Sequence, residues 1–351
     1  MSFNLHDLSN SSIKWNSLRS NRLEKFDDSQ LLKISRKNQI EILQAKNHNP
    51  PYVQKKVATK NKEEEKNILN FYLKENPYAR LHHPNILYFY SSKRQDNTFF
   101  FDYEYCDMTL STYLSQNKDN QFTEQEIQLF TKQILNAMNI IENIRKVKCC
   151  ILNPEAIFLN SNTKYLIPKI KYFSGNYVLT KRLQNVQNED FIYLAPELLL
   201  KNFTIIYPEI PSSNTFWALG LIIFEMFFGY YPFGKNKNYF IGKKDNLEIA
   251  ITKGYYEIPT NKIISFELLT FIHGLLCDDP CKRINWKDVT QQPFLISKPS
   301  EFTYCDFRKK GFDKVTLNIK KQNSITSLLI DKYKNGNVGN SSITMSIISN
   351  S

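Results

Sequence analysis

Residues 216–233 read FWALGLIIFEMFFGYYPF, and whether this run crosses a bilayer or threads a protein interior decides the class of the whole chain. An apolar stretch of this length can span a membrane. It carries Glu225 and Gly220, sits mid-chain and lacks the basic flanks that anchor a span at the headgroups. The reading that fits is a helix buried on all sides in a large core, with no membrane span.

The rest of the chain can supply that core. It has 351 residues, 42% of them hydrophobic and 14% aromatic, which suits two domains or one large bilobal unit. The first residues, MSFNLHDLSNSSIKWN, show no basic segment followed by an apolar one, so no secretory signal is expected and the cytoplasm is the expected compartment, the nucleus staying open. The six cysteines, Cys106, Cys149, Cys150, Cys277, Cys281 and Cys305, are irregularly spaced and read as reduced thiols. Cys277 and Cys281 have no second Cys or His pair at metal-site spacing, so no metal site is expected. The net charge of +12 raises nucleic acid or an anionic membrane surface as partners. The lysines, however, are scattered in ones and twos (Lys55-Lys56, Lys243-Lys244, Lys309-Lys310, Lys320-Lys321). A solvated basic surface accounts for them, and nucleic acid is not an expected partner.

Outward from the buried helix, FTEQEIQLFTKQILNAMNIIENI opens with Thr123-x-x-Glu126, a capping box that satisfies N–H groups at a helix start. It then places Ile127, Phe130, Ile134, Leu135, Met138, Ile141 and Ile144 on one stripe. FELLTFIHGLL at 266–276 and a short segment near WKDV, 286–289, are further helices. Upstream, LLKIS, QIEILQAK and YVQKKVAT are β-leaning runs separated by polar turns. A helix over 61–75 follows, ended by Pro77. LHHPNILYFYSS and NTFFFDYEYCD then make two aromatic-rich strands. Residues 301–351 are Ser-, Asn-, Lys- and Ile-rich with weak periodicity.

Five motifs then fall in a telling order: YVQKKV at 52–57, HPNIL at 83–87, LAPELL at 194–199, the 216–233 helix, and LLCDDPCKRI at 275–284. Together they resemble a eukaryotic protein kinase domain over about residues 30–298. The resemblance implies an α+β, bilobal protein kinase-like fold, with a small antiparallel β-sheet lobe carrying one helix (30–105) and a larger, mainly helical lobe (106–298). Residues 1–29 would be an N-terminal extension and 299–351 a polar, partly disordered C-terminal tail. It also implies a structural ion pair between Glu197 of Ala-Pro-Glu and Arg283.

Phosphoryl transfer needs backbone N–H groups around the phosphates, a lysine that orients them, oxygen ligands for Mg²⁺ and a carboxylate for the substrate hydroxyl. The first glycine is Gly175, so the small lobe has no glycine-rich cradle; the family's glycine positions fall on Ser35, Lys37 and Ile40. Lys55 matches the nucleotide-pairing lysine. Its glutamate partner aligns with Asn67, and Glu64 or Glu65 could serve only with a shifted helix. KCCILNPEAIFLN, 148–160, matches the catalytic loop but puts Ile151 at the carboxylate and Ala156 at the metal-holding amide. Tyr172-Phe173-Ser174 stands for Asp-Phe-Gly, and a neutral phenol is a poor ligand for a hard dication. Neither Glu155 nor Asp190 is placed to substitute. The chain thus resembles a degenerate, pseudokinase-like member of the family.

The apolar frame is kept. Phe71, Phe89, Cys149 and Phe173 match the stack that links the lobes, with Thr215 at its usual aspartate anchor, and Phe173 joins Glu197 and Arg283 as a structural residue. Ile42, Val53 and Phe158 match the adenine lining. Tyr103 matches the gate and Glu104-Tyr105-Cys106 the hinge, so Lys55, Tyr103, Glu104 and Cys106 are the candidate nucleotide contacts. Val53 and Phe158 are bulky enough to fill the pocket. Cys150 replaces the arginine that would meet an activating phosphate; Thr180 and the tail keep hydroxyls that could be modified. The expected function is that of an inactive kinase fold, a scaffold or an allosteric regulator bound to another protein, an active kinase among the candidates. It needs no cofactor or Mg²⁺. The alternative is an atypical active Ser/Thr protein kinase with weak ATP binding through Lys55.

Overall fold

The computed structural model describes residues 32–37, 40–45, 50–62, 65–66, 82–117, 121–144, 152–160, 166–171, 189–199, 212–234, 237–241, 243–259, 261–305, 315–318 and 343–344. The small lobe is a five-stranded sheet of β1 (Leu32–Lys37), β2 (Ile40–Ala45), β3 (Tyr52–Ala58), β4 (Phe89–Gln95) and β5 (Thr98–Glu104). The strand order is β1-β2-β3-β5-β4, with every pair antiparallel. β1 and β2 pair up to Lys37↔Ile40, so the connection is a two-residue hairpin. Ser35, Lys37 and Ile40, the matches to the family's glycines, all lie in ladder pairs. A ladder that runs through all three positions is regular strand pairing. Of the helix expected over 61–75, residues 62 and 65–66 are helical and most others lie outside the described residues. The fourth strand begins at Phe89, later than LHHPN suggested, because His83 to Leu87 turn back against the large lobe.

The large lobe follows with β6 (Met108–Thr109), α1 (Leu110–Gln116) and α2 (Glu124–Asn139), whose last turn widens into a π-helical turn, Ile140–Ile144. The capping box is present: the Thr123 N–H donates to Glu126 Oε2 at 2.8 Å, and the Glu126 N–H to Thr123 Oγ1 at 3.3 Å. β7 (Ile157–Asn160) and β8 (Ile167–Ile170) form a hairpin with β6 at its edge. A 3₁₀ turn, Glu189–Tyr193, leads into the short α3, Pro196–Leu199.

The run that opened the question is α4, Ser212–Phe228, and every residue from Asn214 to Phe228 is buried. Protein rather than lipid surrounds it, and no described helix is long and apolar enough to cross a membrane. Around it lie α2, α5 (Lys244–Thr252), β9 (Tyr255–Ile258), β10 (Ile264–Ser265) and α6 (Phe266–Leu275). Gly220 lets α6 approach, since a Cβ there would stand 2.8 Å from Leu275 Cβ.

Near WKDV, residues 286–288 form a turn in which Asn285 Oδ1 accepts the Lys287 N–H at 2.8 Å and the Asn285 carbonyl accepts the Val289 N–H at 2.9 Å. The helical elements come later, as the 3₁₀ turn Val289–Gln291 and α7, Pro293–Ile296, with Pro293 in the first turn. Beyond residue 298, in the segment expected as a polar, partly disordered tail, short strands are described. β11 (Tyr304–Cys305) pairs with β10 and β12 (Val315–Asn318) with β9, and Phe302, Cys305 and Leu317 are buried.

Candidate functional site

The cleft between the lobes is built from the β3–β5 register. Val53 pairs with Tyr103 and Lys55 with Phe101 and Ile42; directly paired residues share a face, so Val53, Lys55, Phe101 and Tyr103 point one way. The Tyr103 ring also packs on Phe89, centroids 5.3 Å apart. This face is turned toward the large lobe, because Lys171, just past β8, holds its Nζ 4.6 Å from the Tyr103 ring centroid. Such a contact binds an ammonium to a phenol ring electrostatically. Val53 and Phe158 are both half-buried, so neither side chain is swallowed by the protein.

The lobes are tied behind that face. Ile86 bridges Ile170, with the Leu87 N–H donating to the Ile170 carbonyl at 2.9 Å and the Ile170 N–H to the Asn85 carbonyl at 2.8 Å. Asn85 Nδ2 donates to Gln133 Oε1 at 2.9 Å and the Pro168 carbonyl at 3.0 Å. His83 accepts the Asn85 N–H on Nδ1 at 3.1 Å, and its Nε2 lies 3.2 Å from Asn136 Nδ2. Burial, with the Lys169 charge added, lowers its pKa to about 4, so this imidazole is neutral.

At the hinge the Glu104 carboxylate is engaged on both oxygens. Oε1 accepts the Tyr88 N–H at 2.6 Å and Oε2 meets Lys169 Nζ at 3.0 Å. The next candidate contact, Cys106, has its thiol pushed up to about 12 by burial and then by the Glu104 charge, so it stays protonated and is no nucleophile. The hinge backbone folds inward as well: the Tyr105 N–H donates to the Pro51 carbonyl at 3.3 Å and the Asp107 N–H to the Leu159 carbonyl at 3.1 Å.

On the large-lobe side, Ala156 is buried and its N–H donates to Asn153 Oδ1 at 2.7 Å and the Asn153 carbonyl at 3.0 Å. Its carbonyl accepts the Lys171 N–H at 2.9 Å. The turn is therefore closed by its own backbone and Asn153, and the side chain it presents at position 156 is a methyl group. Among the described residues no group of three His, Cys, Asp or Glu side chains could hold a metal ion. Ile151, Tyr172 and Phe173, and with them Phe71, Cys149, Cys150, Asn67 and Thr180, lie outside the described residues.

The structural pair is brought together at full strength. Arg283 Nη1 and Nη2 donate to Glu197 Oε1 and Oε2 at 2.7 and 2.9 Å, a fork-on-fork contact. Thr215 Oγ1 donates to Glu142 Oε1 at 3.4 Å, and Trp286 Nε1 donates to Glu142 Oε2 at 2.8 Å. Helix α4 is thus fastened to the end of α2 through a glutamate that the sequence reading did not single out. Lys169 and Lys171 were also missed. The one signal they offered was two lysines spaced by two in the strand-like run LIPKIK.

A family model for the protein kinase domain matches residues 39–295. Developmentally-regulated protein kinase 1 of Dictyostelium discoideum is 28% identical over 239 residues, covering 66% of this chain and 29% of its own. Serine/threonine-protein kinase tousled-like 1 of Mus musculus and of Homo sapiens is 27% identical over 231 residues, covering 62% and 29%. Serine/threonine-protein kinase TIO of Arabidopsis thaliana is 24% identical over 224 residues, covering 63% and 15%. The chain spans half or less of the length of these curated relatives.

Proposed function

The chain belongs to the protein kinase domain family, and from that premise we propose that it is a catalytically inactive member acting as a scaffold or allosteric regulator through binding to another protein, an active kinase among the candidates. The observation that carries this reading is the closed turn at Ala156, a buried methyl where phosphoryl transfer requires a metal-holding oxygen. Loss of ligands in a fold that stays fully assembled suits binding better than turnover, since fold alone does not confer activity. The proposal needs neither Mg²⁺ nor any other cofactor, and its compartment is the cytoplasm, the nucleus staying open.

The relatives' names favour a second reading, a weak Ser/Thr protein kinase that contacts ATP through Lys55. A phosphate-transfer assay separates the two. Purified protein incubated with radiolabelled ATP, Mg²⁺ or Mn²⁺ and a generic protein substrate should incorporate no label above the Lys55→Met variant. Incorporation by the natural chain that Lys55→Met abolishes would sink the inactive reading.

A further inference from the structure

β12 pairs antiparallel with β9 over its whole length, from Val315↔Ile258 to Asn318↔Tyr255. The ladder is anchored in the core, since Tyr256, Ile258 and Leu317 are buried. On the other side of β12 a further strand, β13 (Ile343–Thr344), runs parallel to it, with Val315↔Ile343 and Thr316↔Thr344 as its described pairs. A segment well down the chain therefore occupies that sheet edge.

The sequence around β13 suits the place. Ser342-Ile343-Thr344-Met345-Ser346-Ile347 alternates small polar and apolar residues and carries no charge, the period-two pattern of a strand with one face inward. The register sets Ile343 in the row of Ile258, which is buried, and Thr344 in the row of Glu257, which is exposed. Pattern and pairing agree. The string Ser-Ile-Thr also stands at 324–326, but a parallel crossover needs about a dozen residues or more. Of the two, only 342–344 is far enough from Asn318 to reach the edge within one chain.

Addition of a strand to a sheet edge is a general mode of peptide capture, in which main-chain hydrogen bonds give affinity and alternate side chains give specificity. β13 holds the edge by two described pairs at the end of the long connection 319–342, whose closure costs entropy. A cap of that kind can be exchanged. We propose that the outer edge of β12 is a docking edge for an extended segment of a partner protein, uncharged and alternating Ser or Thr with apolar residues, and that β13 caps it in cis until such a segment takes its place. This rests on the reading of the chain as a protein binder and gives that binding a surface.

The test uses the full chain and a fluorescent peptide with the sequence of residues 340–349, NSSITMSIIS. A variant carrying Ile343→Pro and Thr344→Pro removes the N–H groups of the cap. It should bind the peptide with a Kd roughly tenfold or more below that of the natural chain, because the tethered competitor is gone. The affinity should hold when salt is raised several-fold, as main-chain pairing of an uncharged strand requires. A peptide with proline at the same two positions should not bind. Amide exchange at Val315–Asn318 should quicken in the variant and slow again on adding unlabelled peptide, a readout independent of the fluorophore. Equal Kd for the two chains, no binding to either, or equal binding of the proline peptide would each overturn the proposal. A natural chain that sediments as a dimer, with the variant a monomer, would give the edge to a second copy and overturn it too. Phosphate transfer by the natural chain would sink the inactive reading and moves none of these readouts, so the two failures are told apart.

Discussion

Two buried ion pairs, Glu197–Arg283 in the large lobe and Glu104–Lys169 at the lobe junction, are built in different ways. Besides its two bonds to Glu197, the guanidinium donates to the carbonyls of Cys277 at 2.8 Å, Ser213 at 2.8 Å and Asp278 at 3.3 Å. Its plane lies over Trp217, 5.1 Å from the ring centroid, and its side chain has no exposed surface. Lys169 makes one contact of 3.0 Å to a glutamate that is 17% exposed and already holds a backbone N–H. A planar fork with five donors can tie several chain segments at once, whereas an ammonium acts as a point charge. The large-lobe pair is therefore held by redundant bonding, while the junction pair rests on a single ammonium contact.

The widest gap between the two should appear on truncation. Arg283→Met leaves the Glu197 carboxylate, 13% exposed, without its partner and three carbonyls without their donor. The expected loss is about 3–5 kcal/mol of unfolding free energy, read from urea denaturation of the natural and variant chains. A loss below about 1 kcal/mol, the range of an exposed pair, would erase the contrast.

The same asymmetry governed what could be read from the residues. Ala195-Pro196-Glu197 and Asp279-Pro280-x-x-Arg283 are contiguous strings whose chemistry is local, and they led to the correct lobe and the correct pair. The buried helix was legible because fifteen successive residues, Asn214 to Phe228, sit in the core, and only a helix closed on all sides is apolar all round. Thr123 and Glu126 signalled their cap for the same reason, since both partners lie within one turn. Lys169 was not legible because Glu104 lies 65 positions away, on another lobe, and nothing in LIPKIK specifies that encounter. β11 and β12 escaped notice because strand pairing supplies the partners that weak periodicity does not announce.

Acid should weaken the large lobe next. His273 in α6 is buried, its Nδ1 lies 3.3 Å from the Tyr256 hydroxyl, and its Nε2 has no hydrogen-bond partner among the described residues. Burial lowers its pKa from 6.5 to about 4. Between these values the unfolded chain takes up a proton that the folded chain refuses. The contribution is therefore complete above pH 6.5 and is lost as the pH falls toward 4. Its size is on the order of 3 kcal/mol. His83 at the junction has the same sense, also falling to about 4, but it is only half-buried and should contribute less. Stability curves at intervals from pH 7.5 to 4 should flatten in His273→Gln more than in His83→Gln. A steeper flattening in His83→Gln would put the acid-sensitive point at the junction instead.

The finest distinction is a double-mutant cycle on the junction pair itself. Lys169→Met removes the ammonium but leaves Glu104 with the Tyr88 N–H and some access to water, so the single loss should be about 1–2 kcal/mol. Glu104→Gln keeps a carbonyl that can still accept from Tyr88 and removes the charge that Lys169 needs, so its cost should be similar. If the ion pair is the only thing the two side chains share, the coupling free energy should be about 1 kcal/mol, because each single change already forfeits the contact. The small lobe should show the loss first, as faster amide exchange across Tyr88 and Glu104, since that hydrogen bond depends on the carboxylate being held in place. A coupling of 3 kcal/mol or more would mean that a single lysine bonds as strongly as the guanidinium fork, and the junction would then be as firmly built as the frame.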